Sequence, residues 1–390
     1  MPRTHAERTL AGQLLDVRPD LLAAYVAALP AARAAVLTRL WRGLAHEPLG
    51  WIARRDRTRD GLVLRLADGR RLHGPPADPW ATAASVTALE LEGAEHTHAA
   101  ELMARLDVPG GAEFAAELDN STASLALSRT APVARRAPGS LWEWEQRITD
   151  GHPYHPCCRS RPGFTAAEQL AYGPEHGPVV GLGLVAADDC LTVGAWPDGL
   201  RNDGAVLLPV HPWQAEHVLG LRAPDDRTPD RRLPDRRLPD RRLPDDRLPD
   251  DRLPDGRTQN RRTQNRRTRG RRVAVERPAY GAGHAARPLM SLRTLAPAGG
   301  ELDGVHIKTT LSTRLTSSVR DISLYSIEHS AAVSALLESL AERLDGRLHI
   351  TRTLAAAAGS PDLAAMLRES PDRYARPGEQ VVPVAALPLP

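Results

Sequence analysis

Lys308 is the single lysine of a 390-residue chain that carries 51 lysines and arginines together. It sits in Val305-His-Ile-Lys-Thr-Thr-Leu-Ser-Thr-Arg-Leu-Thr-Ser-Ser-Val-Arg320. Lysine offers a compact ammonium on a flexible stem, whereas arginine offers a wide planar fork. One lysine kept where only a small cation fits points to an anion site; a chance remnant of a GC-rich genome is the plain alternative. On extended strands, Ser291 and Arg293 share a face, as do His306, Lys308 and Thr310. Paired neighbouring strands would bring Arg293 beside Lys308, and two cations side by side repel unless an anion lies between them. Arg320 is expected in the first turn of a helix opened by Thr316-Ser-Ser, with Ser318 and Asp321 in capping-box spacing. A cation at that positive helix end makes sense where phosphates occupy it. The alternative is that Arg293 and Arg320 pair with acidic groups elsewhere.

A second concentration of chemistry is Gly151-His-Pro-Tyr-His-Pro-Cys-Cys-Arg-Ser-Arg-Pro-Gly163. His152, His155, Cys157 and Cys158 are zinc-ligand types, but they are crowded and have no distant second pair, so no metal site is assigned. Two prolines could instead stiffen a loop that presents the histidines and the Arg159/Arg161 pair to an anion, or merely form a rigid surface turn. Gly181-Leu-Gly-Leu has the letters of a dinucleotide fingerprint without its context, because a second strand follows where a helix is required.

The elements that must position these residues read as α+β. Apolar residues recur at helical spacing over 5–46, with Pro30 expected to break the second helix before Ala31–Leu44 resumes it. Asp68-Gly69 lies between alternating segments and predicts a hairpin. Helices are expected at about 95–107 and 111–129. Val179–Val185 and Leu191–Trp196 read as strands, and Leu207–Val210 as a strand running into a helix with Pro212 in its first turn. Pro288–Pro297 and His306–Leu315 read as neighbouring strands. The domain reading is a mainly helical region with a hairpin over 1–130, then an α/β domain over 131–226 and 273–376, which the resemblance given below makes the nucleotide-binding domain.

Between its halves lies a repeat of period five: Arg-Thr-Pro-Asp-Arg, five copies of the Arg-Leu-Pro-Asp type, then Arg-Thr-Gln-Asn-Arg twice and Arg-Thr-Arg-Gly-Arg. That period fits neither strand nor helix, and the charge and prolines predict a disordered insert over 227–272. The segment holds 17 Arg and 8 Asp, a net of +9; subtracting this from the whole-chain +3 leaves −6 for the remainder. The globular part is thus mildly acidic. Its 4% aromatic content offers few stacking platforms for nucleic acid, and the Asp residues cancel about half of the repeat's charge. Three cysteines fit a reducing compartment, and no signal-peptide pattern opens the sequence, so a cytoplasmic, non-membrane protein is expected.

Four stretches in order resemble the NRPS-independent siderophore synthetases, the IucA/IucC (aerobactin synthetase) family: Gly151–Gly163, Pro209-Val-His-Pro-Trp-Gln214, Ser291-Leu-Arg-Thr294, and Lys308 through Thr316-Ser-Ser-Val-Arg320. Weaker echoes lie at Glu117–Ser121 and Leu367-Arg-Glu-Ser-Pro371. The resemblance implies a cupped-hand α+β fold, with N-terminal helices followed by a mixed or antiparallel sheet domain. It also implies that Mg-ATP adenylates citrate or a related acid, and that a polyamine, hydroxamate-amine or amino-alcohol then attacks to give an amide or ester. Ser291, Arg293, Thr294, Lys308 and Arg320 would contact the ATP phosphates, with Lys308 and Arg320 neutralising charge that develops at the α-phosphate. One or both of His152 and His155 would join the nucleotide site. Arg159 stands where the family usually has lysine. Family members continue past the point matching Pro390, so 377–390 reads as a tail leading to an absent C-terminal domain that completes the nucleotide and acid sites. The competing reading is a non-catalytic binding or assembly protein acting through its repeat; self-association is compatible with either.

Overall fold

Two helices open the chain, α1 (His5–Val17) and α2 (Leu22–His46). Pro30 does not break α2, contrary to the sequence expectation; the helix runs through it. Pro30 itself is exposed, while Leu29, Ala32, Val36 and Leu37 on either side are fully buried. Packing of that face outweighs the one hydrogen bond that proline forfeits. Residues 19–46 are long and apolar enough to cross a membrane by length and composition, at a mean hydropathy of 1.7. Their inner face is nevertheless core, and Arg33 makes a buried two-pronged contact to Glu7 at 2.8 and 2.6 Å.

A five-stranded antiparallel sheet follows in chain order, β1 (Ile52–Arg57), β2 (Leu62–Leu66), β3 (Arg71–Gly74), β4 (Leu89–Leu91) and β5 (Ala94–His96). The expected hairpin is β2–β3, with Gly69 at φ +92 in its turn, a conformation that costs glycine nothing. Then come α3 (Ala99–Leu106) and α4 (Gly111–Ser128), close to the expected spans. Leu102, Leu106, Leu118, Leu125 and Trp41 fill the core between these helices and the small sheet.

The second layer begins with α5 (Leu141–Gln146) and α6 (Ala166–Tyr172), then β6 (Val180–Ala187), β7 (Leu191–Gly194), β8 (Arg201–Asn202), β9 (Ala205–Val210) and α7 (Pro212–His217). After the repeat come β10 (His284–Pro288), β11 (Thr294–Pro297), β12 (Val305–Thr309), β13 (Leu311–Leu315), β14 (Ser318–Arg320), α8 (Leu324–Ala341), β15 (Thr353–Ser360) and β16 (Leu363–Glu369). Nine strands form one sheet in the order β7-β15-β16-β12-β11-β10-β6-β9-β8, with every described pairing antiparallel. The sheet curls, so that β9 packs against β16 across its concave side around Leu182, Leu208, Leu295, Ile307 and Leu367.

This computed structural model describes residues 1–83, 86–132, 136–221, 284–316 and 318–387, and the expected insert at 227–272 lies outside them. The described residues all belong to one compact unit.

Two further expectations are corrected. Pro288–Pro297 is not one strand: residues 289–293 turn between β10 and β11, so Ser291 and Arg293 lie on a loop. No helix opens at Thr316 either. Thr316 follows β13, Ser318 begins β14 of the same hairpin, and α8 starts later behind Ser323, whose side chain accepts from Ser326 N. Serine and threonine at a turn satisfy hairpin and cap chemistry equally well from sequence alone. Because Pro30 is exposed and mid-helix, Pro30→Ala should stabilise the fold by about 1–3 kcal/mol, read as a higher urea midpoint at unchanged m-value.

Candidate functional site

The 151–163 loop is held by the N-terminal layer. Ser121 of α4 donates to the Pro156 carbonyl at 2.8 Å, and Asn120 accepts from Arg161 N at 2.6 Å. Cys157 is fully buried in the N-terminal core, where burial pushes its thiol well above the ordinary range. His155 accepts the Cys157 N–H on Nδ1 at 3.1 Å, which leaves its Nε2 as the N–H donor. Burial first, then His152 and Arg320, push its protonation below the usual value, so it is neutral.

The arginine pair of this loop is committed. Arg161 grips Glu175 in bidentate fashion at 2.8 and 3.0 Å, and Arg159 reaches the same carboxylate at 3.3 Å while also donating to the Ile148 carbonyl. Burial alone would raise the Glu175 carboxyl, but Arg161 and then Arg159 overcome it and hold it far below the usual carboxylate range. The reading of a loop that presents the Arg159/Arg161 pair to an anion meets an internal one: both guanidiniums share the buried Glu175 carboxylate.

Opposite this loop, the β10–β11 turn places Arg293. Leu292 takes φ +64, an uncommon conformation for a side-chain-bearing residue, and is 4% exposed against Phe164, Trp213, Leu311 and Leu315. Its burial anchors the turn. Ser291 Oγ accepts from Thr294 N at 3.2 Å, so its hydroxyl hydrogen remains available to donate. Arg293 donates to the backbone carbonyls of Arg320 and Asp321 at 2.8 and 2.9 Å, tying the turn to β14. Antiparallel pairing then sets Lys308 of β12 opposite Thr294 of β11 and Met366 of β16. At the hairpin tip Thr316 also has φ +64, strain concentrated at the same place.

These elements enclose a cavity of about 340 Å³. Ser291, Arg293, Thr294, Lys308, Arg320 and Arg159, residues singled out in the sequence, line it together with Arg368. No Asp or Glu is among its described lining residues. Lys308, Arg293, Arg320 and Arg368 have no ion-pair partner among the described residues. Burial, and then Arg293, Arg368 and Arg320, lower the Lys308 ammonium to about 8. Burial and Arg320 lower Arg293 to about 10, against a partial counter-effect of Asp321. Chemically, this is a receptor for a polyanion, with hydroxyl donors from Ser291, Thr294 and Thr316 beside the charges. His152 and His155 do not line the cavity; His155 stands close enough to feel Arg320, and His152 packs edge-on to Tyr154. Arg368 was missed as a site residue. Its only sequence signal was the weak Leu367–Pro371 echo, and register brings it opposite His306, two residues from Lys308.

The sequence profile of the IucA / IucC family matches residues 140–228 and 273–388, more than half of the chain. The chain belongs to the IucA / IucC family. Among curated relatives of this IucA/IucC chain, the rhizobactin siderophore biosynthesis protein RhbC of Rhizobium meliloti is 34% identical over a stretch covering 19% of this chain and 17% of RhbC. Among solved structures, the petrobactin biosynthesis protein AsbB of Bacillus anthracis superposes with a TM-score of 0.61 at 17% identity, covering 96% of this chain and 62% of AsbB. ATP-bound aerobactin synthetase IucA of Klebsiella pneumoniae gives 0.53 at 18% identity, covering 87% of this chain and 61% of that one. The family chain thus spans about six-tenths of the length of the solved structures it matches.

Two outcomes follow from the electrostatics. Lys308 must be protonated to hold an anion, and a bound anion raises its pKa, so binding takes up a proton above pH 8. Inorganic pyrophosphate affinity, measured by calorimetry, should weaken by about tenfold from about pH 7 to about pH 9, and Lys308→Met should flatten that profile. Glu175→Gln strands two buried guanidiniums and should cost about 3–5 kcal/mol in denaturant unfolding.

Proposed function

We propose that this chain binds the phosphates of ATP in the four-cation cavity and serves siderophore biosynthesis by adenylating a citrate-like carboxylate for transfer to an amine or hydroxyl. The observation that carries the reading is the convergence of Lys308, Arg293, Arg320 and Arg368 on one cavity with no carboxylate in its described lining. Like charges brought together in a half-buried site are stable together only when they share an anion. Family membership supports the choice of a nucleoside triphosphate, since an IucA structure is described as ATP-bound.

In this reading Lys308 and Arg320 neutralise charge accumulating at the α-phosphate, a preorganised role that requires no reorganisation during reaction. Arg293, braced on two backbone carbonyls, holds β14 and one side of the phosphate chain. Ser291 and Thr294 donate hydroxyl hydrogens to the outer phosphates, and Nε2–H of His155 stands by as a neutral donor. ATP fits this lining. Mg²⁺ does not: no Asp or Glu lines the cavity among the described residues, so no step is assigned to the metal. The amine or hydroxyl acceptor, and the cytoplasmic setting that supplies ATP, complete the proposal.

Calorimetry with ATP and a pyrophosphate-release assay with ATP, citrate and a diamine test it. Lys308→Ala and Arg320→Ala should each weaken ATP binding by about tenfold or more. Arg159→Ala, whose fork is spent on Glu175, should lower stability far more than ATP affinity. Unchanged ATP affinity in Lys308→Ala would overturn the assignment.

A further inference from the structure

The turn that carries Ser291 and Arg293 is nearly self-contained. Among the described residues, the amides of Leu289, Leu292, Arg293 and Thr294 find their acceptors within 289–294, on Thr294 O, Leu289 O, Ser291 O and Ser291 Oγ. The Met290 amide does not. It donates to the Glu145 carboxyl group of α5 at 2.9 Å, and Met290 itself lines the phosphate cavity.

Helix α5 is a platform for this contact. Trp142 and Glu145 are three residues apart and so share one face of the helix. Trp142 lies under the Arg287 guanidinium of β10 at 4.4 Å, and Glu145 meets the chain three residues further on. The helix packs against β10 and against the 174–176 and 384–386 turns, the first of which carries Glu175, the anchor of Arg159 and Arg161. One short helix therefore touches the supports of two walls of the cavity. Glu145 is half-buried and has no ion-pair partner among the described residues. Burial raises its carboxyl above the ordinary value, with the Met290 amide pulling it part of the way back. A neutral amide side chain would satisfy Met290 at a lower desolvation cost, whereas a carboxylate holds the amide through a stronger, charge-assisted bond.

We infer that Glu145 is a positioning residue of the phosphate site: it fixes the Met290 amide, and through it the aim of Ser291 and Arg293 into the cavity. This rests on the phosphate reading above and adds to it the support of the turn. Leu292, at φ +64, pins the turn from the apolar cluster with Phe164, Trp213, Leu311 and Leu315. A turn pinned there alone can pivot about that point; the bond from Glu145 supplies a second, and a strained conformation persists only where its surroundings over-determine it. Arg293 then reaches the Arg320 and Asp321 carbonyls from a fixed origin, and the Ser291 hydroxyl keeps one direction.

The test reads the bond and the site separately in the full chain. There are four methionines, so isotope labelling of methionine alone isolates the Met290 amide for hydrogen exchange by NMR. Calorimetry gives ATP affinity, and a denaturant midpoint shows that each variant is folded. Glu145→Leu fills the space without an acceptor; it should speed Met290 exchange and weaken ATP binding, each by about tenfold. Glu145→Gln keeps an acceptor at the same reach and should hold both within about threefold of wild type. Glu145→Asp withdraws the acceptor by one methylene, should fall between them, and takes the place of the leucine variant where that one does not fold. Unchanged ATP affinity despite fast Met290 exchange makes the bond structural only and overturns the proposal. So does unchanged exchange, or a loss that glutamine does not rescue. Where the wild-type chain binds no ATP, the phosphate reading falls, and the same variants are titrated with inorganic pyrophosphate. Tenfold loss rescued by glutamine then supports positioning of the turn for an anion, and absence of loss or of any binding rejects it.

Discussion

Holding Lys308, Arg293, Arg320 and Arg368 around one cavity is unfavourable unless an anion is shared among them, because burial strips away the water that would screen their repulsion. The fold sustains this arrangement through backbone geometry. Lys308 and Arg368 are fixed by the ladder of β12 and β16, Arg293 by a turn plugged with Leu292, and Arg320 by a hairpin whose tip carries a strained Thr316. Each cation thus comes from a separate local device, and the sheet curl and its appended hairpin bring them together. Two of the side-chain-bearing residues with positive φ, Leu292 and Thr316, lie on that rim. Strain of this kind persists where surrounding packing over-determines it, and here the packing is the small apolar cluster beneath the cavity.

The same residue type has a different fate a few ångströms away. Arg159 and Arg161 carry charge into the interior, but Glu175 and the Ile148 carbonyl claim their donors. The buried trio acts as a stiff wall joining the 151–163 loop to the turn after α6, and Ser128 of α4 adds a 2.7 Å bond to the same carboxylate. Removing charge from this wall would alter the loop that faces the cation-lined cavity. Arginines spent on an internal carboxylate and arginines left facing the cavity are alike in any composition count.

Part of the cavity lining was legible in the sequence. The lone Lys308, the Ser291-Leu-Arg-Thr294 stretch and Arg320 were grouped by residue type and motif order, while the strand and helix expected to carry Ser291, Arg293 and Arg320 proved to be a turn and a hairpin strand. The α3 and α4 helices followed from apolar periodicity. Other readings went astray for identifiable reasons. Pro30 looked like a helix break because its intrinsic cost is large, yet the buried face of α2 pays no attention to a proline on the solvent side. Thr316-Ser-Ser looked like a helix cap because hydroxyl residues serve caps and tight turns with the same local hydrogen bonds.

What the sequence by itself determined was the inventory and its local grammar: which stretches alternate, which recur at helical spacing, which polar residues have no role in a core, and which motif order marks the family. What only the tertiary structure decided was pairing. Glu175 could not be matched to Arg159 and Arg161 across 14 or more residues of chain, and Arg368 could not be set beside Lys308 across a strand register. A charge counts toward a site only after its neutralising partner is known. That partner is chosen by contacts distant in sequence, through long-range packing and register that local propensity does not encode.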